Sequence, residues 1–582
     1  MRLIFISLIF CISCTNSNKK PTYNFETHFE KSKGLETATY QQMIAFYTHL
    51  AEVYSEISIQ TIGETDSGKP LHIVTLNPNK EFDFSKVRKN KKSILLINNG
   101  IHPGESDGID ATMILFRDIV QGKIKTPKET VLVTIPIYNI GGSLNRNSNT
   151  RTNQNGPKEY GFRGNARNYD LNRDFIKCDT KNAKTFTQIF HLVKPDVFID
   201  NHVSNGADYQ YTLTHLFTQH NKLGGDLGEY IHNSMMPKLE QKLALKKWDI
   251  TPYVNVFNEV PEKGFSQFMD SPRYSTGYTT LFNTLGIMVE THMLKPYKQR
   301  VEGTYELMKS MIEVIEEDHI EIQQKRLHLK ENLDGYGKTY PLLWEIDTTK
   351  VTVLNFKGFE GELITSEVTG TNRLKYNRNR PFTKEVNYQN YFKPSLEVKV
   401  PSAYIIPKSW HNIIELLKLN QVEMTTLKKD SIIAVELYKI SNYDTRKTPY
   451  EGHYLHYNTK VVKTEKEVHF TKGDYIIYTH QYALRYLLET LEPEAPDSFF
   501  NWNFFDSILQ QKEGFSPYVW EDKALELLNN NPKLREAFEL RKKDIKEFNN
   551  NWYEQLNWIH KQSEHYENAH MQYPVYRINI PF

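Results

Sequence analysis

The residues best able to do chemistry in this chain are histidines and glutamates. The pattern His-x-x-Glu occurs three times, at His49/Glu52, His102/Glu105 and His328/Glu331. With 20 histidines in the chain the pattern recurs by chance, so context has to choose among the copies. His49 and Glu52 lie inside an amphipathic helical stretch with no loop to expose them. His328 and Glu331 lie in a charged helical stretch. His102 and Glu105 follow the apolar run SILLI and Asn98-Asn99-Gly100, in a Pro-Gly turn (HPGE). A loop at the end of a buried strand is where α/β folds place their chemistry. A catalytic zinc site takes three protein ligands and leaves one position open. Two ligands from this turn and a third from a distant strand end satisfy that need. His202 is the best third ligand, because it ends a second apolar strand, DVFIDNH, and is followed by Ser204-Asn205-Gly206. Taken alone, His202 reads more readily as a hydrogen-bonded core histidine than as a ligand. Hydrolysis at such a metal also needs a base for the water proton. Glu290 is the candidate. It closes the apolar run LGIMV, where a carboxylate is costly to bury, although a solvent-facing strand-end Glu is the competing reading.

The elements that must position these residues can be read from periodicity. Tyr40 to Tyr54 has helical spacing, with Met43, Ile44, Tyr47, Leu50 and Ala51 on one face. SISIQTIGETDSGKPLHIVTLN reads as two strands joined at Asp66-Ser67-Gly68. Ser93–Ile97, Val131–Ile137, Asp196–Ile199 and Gly286–Val289 read as short, fully apolar strands, and Asp110–Val120, Gly225–Leu245 and Gly303–Lys325 as helices. Apolar strands without polar alternation, interleaved with helices, predict an α/β fold, an α/β/α sandwich on a mixed central sheet. Near residue 330 the character changes. KVTVLNF, SLEVKV, SIIAVELYKI and GDYIIYTHQ read as strands, SWHNIIELLKLN as a helix, and Asp522 to Gln562 as charged, aromatic-rich helix. The expected organisation is therefore a catalytic domain over 36–330 and an accessory α+β region over 331–582. The aromatic run PEAPDSFFNWNFFDSIL is expected to pack an interface or a buried edge.

Bulk properties bound the rest. The chain has 582 residues, 39% of them hydrophobic, and a net charge of +2. That balance gives no electrostatic reason to expect a nucleic-acid partner. The N-terminus, Met1-Arg2 followed by LIFISLIFCI, has the length of a signal-peptide core and is too short to span a bilayer. Residues 1–14 are read as that signal, residues 15–35 as a tether, and the protein as exported. Cys14 stands where a bacterial lipoprotein carries its acylated cysteine, though Cys11 occupies a position where Leu is usual. Anchorage there would place the protein at the periplasm or outer membrane of a bacterium. Removal of the signal before an acylated Cys14 leaves Cys178 as the sole possible thiol, which excludes a disulfide framework and favours a structural thiol. Oligomeric state is not legible.

HPGE at 102–105, YDLNRDF at 169–175, NHVSNG at 201–206 and VETH at 289–292 come in the order of the zinc carboxypeptidase family (metallocarboxypeptidases, peptidase family M14). The chain resembles that family over residues 35–320, including the hairpin IGETDSGKPLHIVTL at 62–76. The gap from Glu105 to His202 is shorter than in digestive members, which implies trimmed loops. The resemblance implies one Zn2+ on His102, Glu105 and His202, with Glu290 as general base. It further implies that Asn172 and Arg173 bind the terminal carboxylate of a peptide, a task that suits the guanidinium fork. Arg163 stands where regulatory-type members carry the Arg that polarises the scissile carbonyl, with Arg167 as its competitor. Asp170 matches the Asp that holds the first zinc histidine. Tyr274, with Tyr278 as the competitor, matches a mobile tyrosine that contacts substrate. Acidic and aromatic residues usual after that tyrosine are missing, so the preferred side chain is not legible. Two other functions remain open at this level. One is an amidase, deacylase or cell-wall peptide hydrolase on the same scaffold. The other is an inactive lipoprotein that binds peptides or glycans, which the complete ligand set argues against.

Overall fold

The computed structural model describes residues 23–331 and 337–579. The expected signal over 1–14, the acylation site at Cys14 and the start of the tether lie outside the described residues. The described part of the tether departs from expectation. A short helix, His28–Lys31, is closed by a capping box between Thr27 and Glu30, and Phe25 and Phe29 are buried. Two aromatic side chains removed from water hold this segment on the domain, which its polar neighbours had masked.

An eight-stranded sheet forms the centre. Its strands are β1 (Ile57–Glu64), β2 (Pro70–Leu76), β3 (Ser93–Asn98), β4 (Thr130–Ile135), β5 (Val197–Ser204), β6 (Leu213–Phe217), β7 (Ile250–Pro252) and, after the short β8 (Phe265–Ser266) of a neighbouring sheet, β9 (Leu285–His292). The order across the sheet is β1-β2-β4-β3-β5-β9-β6-β7. The β4-β3-β5-β9 block is parallel, while β1, β2 and β6 add antiparallel pairs. Every residue of β3, β4 and β5 is buried, so helices cover both faces, as the unbroken apolar runs require. Helix Asp107–Val120 packs on helix Tyr297–Glu331, which also lies against β3, β4, β6 and β9, and helix Lys181–Val193 lies against β1 and β2. This is the expected α/β fold on a mixed sheet.

Three elements run further than periodicity suggested. Strands β5 and β9 continue through the polar residues 200–204 and 290–292, and the helix read over 303–325 spans Tyr297–Glu331. The helix read over 225–245 is interrupted by a π turn at Ile231–Met235. The C-terminal region contains two long hairpins, Thr352–Thr365 with Asn372–Gln389 and Ser431–Thr445 with His456–Phe470, and helices between 517 and 560. Part of it, including Tyr404, Tyr486, Phe499 and Trp502, joins the core of the central sheet, while the helices around Trp520 and Phe538 pack on a cluster of their own. Phe282 stacks on Tyr486, Tyr278 donates to Asn420, and Arg273 pairs with Asp497 at 2.7 Å. Phe499, Phe500, Trp502 and Phe505 are fully buried, so the aromatic run is interior. Among the described residues, no helix is long and apolar enough to cross a membrane.

Candidate metal centre and active site

His102 and Glu105 sit in a turn closed by a bond from Glu105 N to His102 O, 2.8 Å. Gly104 is required by its neighbour: a Cβ there would lie 2.5 Å from Arg151 Cδ. The open space lets Arg151 Nη2 come within 3.1 Å of Glu105 Oε1. His202 lies on β5, paired in register with Glu290 of β9, so the two side chains emerge side by side from adjacent parallel strands. His102, Glu105 and His202 are each only 3% exposed.

Both imidazoles are oriented the same way. His102 Nε2 lies 2.9 Å from Asp170 Oδ1, and His202 Nε2 lies 3.0 Å from Asp200 Oδ2. Carboxylates on Nε2 fix the tautomer and leave Nδ1 as the free lone pair. The two Nδ1 atoms face Glu105, at 3.2 Å from Oε1 for His102 and 3.0 Å from Oε2 for His202. His102 Nδ1 is buried without a hydrogen-bond partner. One ligand atom from each of the three residues lies within 4.8 Å of the others, the only such group among the described residues. Two imidazole nitrogens and a carboxylate are the donor set of a catalytic zinc site, and a buried nitrogen without a hydrogen-bond partner suits a ligand atom. The residues fit the metal.

Electrostatics agree with that geometry. Burial pushes the Glu105 carboxyl up, but His102 and Arg151 hold it well below the usual range. Burial likewise opposes ionisation of Asp170, and His102, Arg163 and Arg173 outweigh it. Burial disfavours a charged His202, yet Asp200, Glu105 and Glu290 hold its pKa well above the usual value. Glu290 is pushed up to about 8, chiefly by burial and by the charges of Glu105 and Asp200, against His202 and Arg163.

Around this cluster the other expected residues take definite places. Arg163 donates through Nε and Nη2 to Asp170 Oδ2, at 3.0 and 2.8 Å, with Nη1 at 3.8 Å from Glu105 Oε1. It is half exposed at the mouth. Arg167 points away, over the Tyr169 ring and towards Asp66. Arg173 lies with its guanidinium 4.5 Å from the Tyr274 ring centre and bonds Asn172 O at 2.7 Å. Asn172 Oδ1 accepts from Ser275 N, and Ser275 Oγ donates to Asp200 at 2.5 Å, which ties the 170–173 segment to β5. Tyr278 is in the core, its hydroxyl on Asn420. His49 and Glu52 are occupied by Tyr23, which stacks on the first and donates to the second. His328 lies on the surface beside Asp226. Cys178 is buried and unpaired, its thiol pushed up to about 12 by burial.

Sequence reasoning missed Arg151, Asp200, Ser275 and Tyr253. Burial, and then the charges of Glu290, Tyr209 and Glu105, raise the pKa of the Tyr253 phenol. The Asp200-Asn201-His202 string carried a signal for Asp200, since a carboxylate two residues before a strand histidine lies on the same face. Arg151 and Tyr253 carry no local signal.

Residues 43–195 match the family model described as zinc carboxypeptidase. The resemblance read from the motifs is therefore found over the segment that contains His102, Glu105, Arg163, Asp170, Asn172 and Arg173, while His202 and Glu290 lie beyond it. Carboxypeptidase 2 of Trichophyton rubrum is 21% identical over 443 residues, which cover 70% of this chain and 73% of that protein. Among solved structures, a metallo-carboxypeptidase from Burkholderia cenocepacia is similar at 15% identity and a TM-score of 0.36, over 49% of this chain and 69% of that one. A metallo-carboxypeptidase from Pseudomonas aeruginosa, in complex with (2-guanidinoethylmercapto)succinic acid, is similar at 12% identity and a TM-score of 0.37, over 49% and 70%.

Proposed function

We propose that this protein is a zinc-dependent metallocarboxypeptidase that removes C-terminal residues from peptides. The observation that carries the reading is the convergence of two imidazole Nδ1 atoms on the Glu105 carboxylate, with Glu290 in register beside His202. Zinc bound by His102, Glu105 and His202 supplies Lewis-acid activation of water and of the scissile carbonyl. Glu290 takes the proton of the attacking water and returns it to the leaving amine. Its place beside His202 on the adjacent strand sets the carboxyl next to the metal ligands, within reach of a water held there. Arg163, on the rim beside Glu105, faces the charge that develops on the carbonyl oxygen. Arg173 and Asn172 hold the terminal carboxylate, and the Tyr274 ring keeps the guanidinium plane in place. Asp170 and Asp200 hold the two imidazoles in the tautomer that leaves Nδ1 free. Export, with Cys14 as the lipid-bearing residue, is supported by the N-terminal apolar run alone.

The test is release of free amino acids from a panel of short peptides, with and without a chelator, together with metal analysis. Chelator-sensitive release of single C-terminal residues by a protein holding about one zinc is expected. Bound zinc with cleavage of acyl-amino acids or cell-wall peptides, and none of free-carboxylate peptides, overturns the peptidase reading in favour of a deacylase or cell-wall hydrolase.

A further inference from the structure

The hairpin that joins strands Ser431–Thr445 and His456–Phe470 reaches across into the catalytic region. At residues 450–453 Tyr450 and His453 exchange both backbone bonds, at 2.7 and 3.1 Å. Between them Glu451 and Gly452 have φ of 50° and 82°. Two successive positive φ values make a type I′ tip, where Asn, Asp or Gly is the usual first residue. A glutamate there bears a steric cost that those residues avoid. The tip is pressed on the segment that leads to Asp170: a Cβ on Gly452 would lie 2.5 Å from the Tyr169 hydroxyl. His453 Nε2 bonds Asp179 Oδ2 at 2.7 Å and anchors the tip from the other side.

What the strained glutamate does is visible. Its Oε2 accepts the backbone N–H of Asp170 at 2.8 Å. The side chain of Asp170 is already committed, with Oδ1 to Asn172 N and His102 Nε2 and Oδ2 to Arg163. Its backbone N–H is held from outside the 170–173 segment, by a carboxylate 281 residues later in the sequence. A glycine or asparagine would relax the tip but could not reach that N–H.

We propose that Glu451 is a positioning residue for the metal centre: the C-terminal region lends its carboxylate to fix Asp170, and through Asp170 the orientation of His102. The proposal rests on the zinc site described under the proposed function. It gives the region after residue 331 a role in the site itself.

The experiment uses the full chain and zinc alone. Zinc affinity is measured by competition with a chromophoric chelator for the parent, Glu451→Gly and Glu451→Gln, alongside their thermal midpoints. Glu451→Gly relaxes the tip, so its Tm is expected at or above the parent's, while its zinc affinity falls by about 10- to 100-fold, the range seen when partners of metal ligands are removed. Glu451→Gln keeps an acceptor oxygen and is expected to restore most of that affinity. A merely structural role would lower Tm and would not separate the two variants. Unchanged zinc affinity in Glu451→Gly, or Glu451→Gln as weak as Glu451→Gly, overturns the proposal. A parent that binds zinc but releases no C-terminal residue overturns the peptidase reading and leaves this comparison standing. A parent that binds no zinc overturns both.

Discussion

The two regions of the molecule handle buried charge in different ways. In the central domain, Glu105, Asp170, Asp200 and Glu290 converge on two imidazoles, with Arg151, Arg163 and Arg173 around them. The cluster leaves His102 Nδ1 without a hydrogen-bond partner. In the C-terminal region, buried charges serve packing. Arg577 is set against Glu492 at 3.1 Å and against Glu436, and Asp497 receives both Arg273 and the indole N–H of Trp502. Many like charges around one point are unfavourable unless a cation joins them, whereas a pair placed beside each other needs nothing more. Convergence of two imidazoles and a carboxylate on one point, rather than burial of charge or an unpaired nitrogen as such, is what separates a site from a structural ion pair.

The sharpest way to break this comparison is Glu290→Gln. If Glu290 moves protons, kcat/KM falls by about 10³- to 10⁴-fold while one zinc stays bound. A zinc-loaded variant with a near-normal rate would remove Glu290 from the chemistry. The next effect tests whether the two regions are one cooperative unit. Trp502 is fully buried, with Arg273 and Lys177 over its ring. Trp502→Ala should cost about 3–5 kcal/mol in denaturant unfolding. It should lower a single transition, because Trp502 lies in the core shared with the central sheet. Two separate transitions would show that the regions fold apart. Arg173→Ala comes third: KM for free-carboxylate peptides should rise by about 100-fold, with amidated peptides unaffected. Equal loss on both substrates would take Arg173 out of carboxylate recognition.

Much of the central domain was legible because its strands are apolar on both faces. SILLI, VLVTI and LGIMV, short and bounded by polar residues, read as buried strands, and HPGE after one of them as a strand-end turn. The reading failed where polar residues are buried for chemical reasons. Strands β5 and β9 were stopped at Ile199 and Val289, because hydrophobic pattern ends at the first charged residue. In the structure they run on to Ser204 and His292, and their register is what sets His202 beside Glu290. The tether was misread for the opposite reason, since two buried aromatics among polar neighbours leave no periodicity. Arg151, Tyr253 and Glu451 were illegible because each reaches the site from a loop or turn, or, for Glu451, from a hairpin 281 residues from its partner. Only packing reveals such contacts.

The smallest effect sharpens the contrast within the central domain itself. Asp110 is a buried carboxylate away from the site, contacted by Ala38 N and by the Tyr297 hydroxyl, with no cation beside it. Its pKa is pushed up to about 6 from 3.8, chiefly by burial. The folded state therefore favours the protonated form, while the unfolded chain loses that proton near pH 4. Stability from this group is full below about pH 4, falls as pH rises towards about 6, and stays constant above that. The penalty above pH 6 is at most about 3 kcal/mol, from about 1.4 kcal/mol per pKa unit. Carboxylates such as Asp170, held low by cations, act with the opposite sign and mask it in the parent. The difference between parent and Asp110→Asn isolates it: between pH 4 and 6 the parent should lose stability relative to the variant, by up to about 1.4 kcal/mol per pH unit. Parallel pH profiles would mean that Asp110 is ionised when folded, and that a cation or water reaches it. The distinction between carboxylates that meet a cation at the site and those that do not would then have to be drawn elsewhere.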